Sequence, residues 1–169
     1  MKNYLFLFAF FVATLASAQD TPISAFLEKW ENSKNYLVQI AELMPEDKYT
    51  YKPTERQDTF QELLLHIKQN MDWLSTSYFL KDKKKNQAKA TYTTKAQVIE
   101  AIKEAFNNTA AIIKKASTDE LKEMVEFFAG PKTKLQILNL LQDHVSHHRG
   151  QLIVYLNLNN IKPPRYVGW

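Results

Sequence analysis

Residues 135–158, LQILNLLQDHVSHHRGQLIVYLNL, decide the fold, because their apolar positions recur with the period of a helix and no glycine–proline break interrupts them. Leu138, Leu141, Val145, Leu152 and Leu156 form one stripe, to be buried against other helices. Thr133 with Gln136 can cap the start. Asn159-Asn160 can supply the left-handed residue that ends it, and Pro163-Pro164 forbids resumption.

Working outward, three more helices are expected. The first spans about Pro22 to Met44, with Ile23, Phe26, Leu27, Trp30, Leu37, Ile40 and Leu43 as its apolar face. The second follows a Thr59/Glu62 capping box and runs to about Phe79; the third follows a Thr94/Gln97 box and runs to about Ala116. Leu121 to Ala129 fits a short helix or an extended crossover equally well. Only three glycines and six prolines in 169 residues are too few for a many-stranded sandwich or barrel, so the expected class is all-α, a four-helix bundle. The run Lys81-Asp82-Lys83-Lys84-Lys85 reads as a solvated loop.

Met1–Ala18 has a different character. Lys2, an apolar run from Leu5 to Leu15, and Ala16-Ser17-Ala18 are the parts of a signal peptide, with cleavage expected after Ala18 and the bundle domain at residues 19–169. The competing reading, an uncleaved anchor, needs about 18–20 apolar residues, more than this run provides. An exported protein, periplasmic or secreted, with no stable membrane anchor is therefore expected. The formal charge of +4, or +3 without Lys2, is too small to mark a nucleic-acid binder. Cysteine is absent, which removes thiolate metal sites, cysteine nucleophiles and a lipoprotein anchor.

Chemistry must then rest on oxygen and nitrogen groups, and the histidines stand out. At about 100° per residue, His144 and His148 lie about 40° apart and one turn apart along the last helix, so both rings can reach one point. They sit at the edge of the buried stripe, about 100° and 60° from its centre, whereas His147 is about 160° away and faces solvent. His66 is also an edge residue, about 100° from the centre defined by Phe60, Leu64, Ile67, Met71 and Leu74. Taken singly, each histidine reads more readily as an ordinary structural or surface residue than as a ligand. Together they offer a three-imidazole site for a divalent metal with its fourth position open. Asn70, Asp143 and Gln151 could orient the rings or serve as plain solvated polar groups, and Trp73, beside His66 and Asn70, is a pocket candidate. Ser146 points away from His144, so no serine triad is supported.

Met44-Pro45-Glu46-Asp47-Lys48-Tyr49, Phe60 to Ile67, and Asp143-His144-Val145-Ser146-His147-His148-Arg149-Gly150-Gln151-Leu152 followed by Tyr155-Leu156 and Pro163-Pro164 together resemble the DinB-like (YfiT-like) family over most of the chain. One departure is visible: many relatives have a glycine before the Pro-Pro segment, where this chain has Asn159-Asn160-Ile161-Lys162. The resemblance implies a four-helix bundle holding nickel or zinc through His66, His144 and His148. It also implies a metal-dependent enzyme acting on a small molecule, by hydrolysis or by transfer onto a thiol. A non-catalytic metal-binding or interaction bundle is the alternative. A homodimer, frequent among such relatives, has no assignable seam here.

Overall fold

The computed structural model describes residues 21–81 and 90–169, so the expected signal segment and most of the lysine run lie outside the described residues. Among the described residues four helices make up the bulk: α1 Pro22–Leu43, α2 Phe60–Tyr78, α3 Lys95–Ile113 and α4 Lys134–Leu158. Each starts where a side chain satisfies the first free backbone donors. The Thr21 hydroxyl accepts from the Ser24 amide, and Thr59/Glu62, Thr94/Gln97 and Thr133/Gln136 all close complete capping boxes. α4 ends at Asn159-Asn160, where Asn160 takes φ 57° and Ile161 donates its amide to the Leu156 carbonyl.

α1 and α2 each pack against both α3 and α4, so α1 and α2 occupy one diagonal of the bundle and α3 and α4 the other. Phe60, Leu64, Ile67, Met71 and Leu74 of α2 meet Leu138, Leu141, Val145 and Leu152 in one continuous core. Trp30 of α1 fills the opposite side and donates its indole N–H to the Phe106 carbonyl at 3.1 Å. Leu43 and Arg149 are among the positions that depart from the apolar pattern. Leu43, expected on the buried face, is 42% exposed while Met44 takes the core position; and Arg149, beside His148, is buried. Arg149 lies over the Tyr36 ring at 4.8 Å and donates to the Ser33 hydroxyl, which also accepts from Gln142. Burial lowers its pKa from the usual guanidinium value.

The ambiguous stretch before α4 is neither a full helix nor a plain crossover. A 3₁₀ turn at Glu120–Lys122 leads into a small antiparallel hairpin, β1 Met124–Val125 with β2 Lys132–Thr133, in register Met124 with Thr133 and Val125 with Lys132. Gly130 takes the left-handed φ of 87° that the turn needs. Lys134 secures the turn to α4 by pairing with Glu120 at 2.8 Å and Glu123 at 3.0 Å. The C-terminal tail returns along α1, where Asn32 donates to the Val167 carbonyl and Lys29 to that of Gly168.

Candidate metal centre

α2 and α4 are direct neighbours, and the buried stripes on both fix their rotation about their own axes. With Leu141, Val145 and Leu152 turned inward, His144 and His148 must sit at the edge facing α2. With Ile67 and Met71 inward, His66 must sit at the edge facing α4. The three rings meet there. Their candidate ligand nitrogens lie within 4.8 Å of one another, and the ring centroids are 4.9 Å (His66–His144), 4.7 Å (His66–His148) and 4.4 Å (His144–His148) apart.

Nε2 of His66 faces Nε2 of His144 at 3.1 Å. Nitrogens on a tetrahedral zinc ion at about 2.0–2.1 Å stand about 3.3 Å apart, so this pair is already spaced for a shared ion. His148 directs Nδ1 to the Gln151 side-chain oxygen at 2.7 Å, leaving Nε2 for the cluster. Nδ1 of His144 is buried without a hydrogen-bond partner, as is the side-chain oxygen of Asn70, one helical turn beyond His66. Three imidazoles converging in this way fit a borderline metal such as zinc or nickel.

Electrostatics favour the neutral, ligating form. Burial lowers the pKa of His144 to about 4, and the neighbouring His148, His66 and His147 push the same way. Burial also lowers His148, against the opposing influence of its bond to Gln151 and of the Asp58 charge. His66 is exposed, so the cluster has one side turned to solvent.

Of the residues singled out from sequence, the structure therefore brings together His66, His144 and His148, with Gln151 on the last. Asn70 is on the same flank of α2 but makes no hydrogen bond through its side-chain oxygen. Asp143 is exposed and His147 lies outside the group. Trp73 is 41% exposed and stacks on Phe127 and Phe128 of the hairpin rather than on an imidazole. Sequence reasoning missed Asp58, whose carboxylate acts on His148 from the loop before α2, and whose backbone carbonyl accepts from the Tyr155 hydroxyl at 2.8 Å. Only the three-dimensional packing of that loop against α4 reveals it.

Comparison with known proteins agrees with this architecture. The model of the DinB family matches residues 16–166. An uncharacterized protein, YjoA of Bacillus subtilis (strain 168), is 25% identical over 131 residues, covering 73% of this chain and 81% of its own. The crystal structure of that DinB-like protein superposes with a TM-score of 0.73 at 23% identity, over 84% of this chain and 97% of its own. A DinB-like protein from Bacillus cereus ATCC 10987 gives 0.71 at 17% identity, over 84% and 95%. A conserved protein from Enterococcus faecalis gives 0.59 at 12%, over 83% and 98%. At these identities the structural likeness speaks for the fold.

Proposed function

The chain belongs to the DinB family, and from that premise we propose that it is an exported metal-dependent enzyme. In this reading it acts on a small molecule, by hydrolysis or by transfer onto a thiol, at an open position of a three-histidine centre. The observation that carries the reading is the convergence of His66, His144 and His148, with two Nε2 atoms 3.1 Å apart. A divalent ion held by three neutral imidazoles keeps its full charge and lowers the pKa of a water or thiol that joins it.

The chain's own groups prepare that site. Burial keeps His144 unprotonated well below neutral pH, so its donor nitrogen is available without first losing a proton. Gln151 holds His148 in one orientation through Nδ1. The exposed edge at His66 gives a substrate access. Hydrolysis suits an exported protein better than thiol transfer, because the small thiols of the cytoplasm are not its obvious partners outside. Export itself rests on the Lys2 to Ala18 segment, and an N-terminus beginning at Gln19 on the secreted protein would test it.

For the centre, protein purified without a histidine tag should take up about one zinc or nickel ion per chain. His66→Ala should abolish uptake, and the loaded protein should turn over members of ester, amide or thiol-transfer panels. Metal uptake that raises the melting temperature with no turnover would favour a non-catalytic metal-binding bundle. Failure to take up either ion would overturn the reading.

A further inference from the structure

The flank of α2 that carries His66 does not end there. His66, Asn70 and Trp73 follow one another at helical spacing, which puts Trp73 about 10.5 Å from His66 along the axis and within about 20° of it in rotation. Facing them on α4, Leu140 lies one turn before His144 and is half-buried against the core. The seam between the two helices thus runs from a polar end, the imidazoles, to an apolar end at Trp73.

At that apolar end four rings form a shelf. Trp73 stacks on Phe127 and Phe128, with centroids 5.9 and 6.3 Å away and interplanar angles of 24° and 29°. Phe127 and Phe128 are 4.3 Å apart, and Tyr78 closes the group edge-on to Trp73 at 6.2 Å. Phe128 nevertheless stays 84% exposed. The hairpin turn therefore holds Phe128 at the surface beside Trp73, while Phe127 is half-buried against the core.

The size of the shelf limits what can occupy it. The four rings expose roughly 300–400 Å² between them, given about 150–250 Å² for a whole aromatic side chain. A stable dimer needs about 800 Å² from each partner. The shelf is at most about half of that, but it is enough to cover one flat apolar group of a small molecule.

We propose that the α2–α4 seam binds an elongated small molecule, with a polar, metal-seeking head at His66, His144 and His148 and a flat aromatic arm on Trp73 and Phe128. This inference rests on the metal-centre reading above and adds a substrate class to it: amphipathic molecules whose aromatic group lies about 10 Å from the reacting group.

Calorimetry on the zinc-loaded full chain tests it, with acetohydroxamate as the head alone and 6-phenylhexanehydroxamate as head plus arm. The phenyl-bearing probe should bind about tenfold or more tightly than acetohydroxamate, as burying one aromatic group requires. Phe128→Ser and Trp73→Ala, both at exposed positions, should each remove most of that advantage and leave acetohydroxamate binding unchanged. An arm advantage equal in wild type and both variants overturns the inference. So does a dimer, or binding to phosphatidylglycerol vesicles, that Phe128→Ser abolishes, since the shelf would then belong to a second copy or to a lipid surface. Zinc uptake without an arm effect defeats this inference alone, whereas no zinc uptake defeats the metal centre and this inference with it.

Discussion

His144 has its imidazole where burial and three neighbouring histidines all oppose protonation, and this ties stability to pH in a definite direction. Its folded pKa of about 4 lies below the ordinary value of 6.5, so the folded state binds fewer protons than the unfolded state between those limits. In the metal-free protein its contribution is complete above pH 6.5 and is lost as pH falls toward 4. Thermal melts over that range should show the loss, and His144→Asn should flatten the dependence. Gln151 acts at one remove. Gln151→Leu deletes the acceptor for Nδ1 of His148 and should weaken zinc affinity about 10–100-fold in competition titrations, while the metal-free melting point moves little. The histidine trio was legible in the sequence because helical spacing fixes direction: His144 and His148 had to share an aim, and His66 had to sit at a matching edge. Asp58 and the Phe127–Phe128 pair were not, because their places depend on how a loop and a turn dock, and no periodicity encodes that.

Among the elements, α4 bears most of the consequences of its own sequence. Its Thr133/Gln136 box sets where the helix begins, and Lys134, the first residue inside that box, is the cation that pairs with Glu120. Thr133→Ala should cost about 1 kcal/mol in denaturant unfolding, the usual worth of such a cap, while Gln142 and Arg149 deeper in the helix keep their bonds to Ser33. All three boxes could be read from sequence because a threonine followed three residues later by Glu or Gln is a local chemical device, complete within four residues. The β1–β2 hairpin could not be read so, since strands of two residues carry no alternation to detect. Arg149 also escaped, because a guanidinium at a core position is explained only by Ser33 and Tyr36 on a helix far away in the chain.

At the scale of the whole molecule, the four helices were expected and the comparisons bear out the DinB fold, but the diagonal placement of α1 and α2 was not in the pattern of any single helix. Amphipathic stripes state how much surface must be covered and leave open by which neighbour. Here α1 is covered by α3 and α4, and α2 by the same two. A fragment ending at residue 116 therefore lacks α4, one of the two partners of each, and should show weak ellipticity and no cooperative melt by circular dichroism. The same diagonal has a temporal side. As the nascent chain emerges from the ribosome, its first two helices have little to say to each other, and the apolar face of each waits for a partner not yet made. The full set of contacts that encloses them can form only once the last long helix is synthesised, since α4 is one of the two neighbours of each.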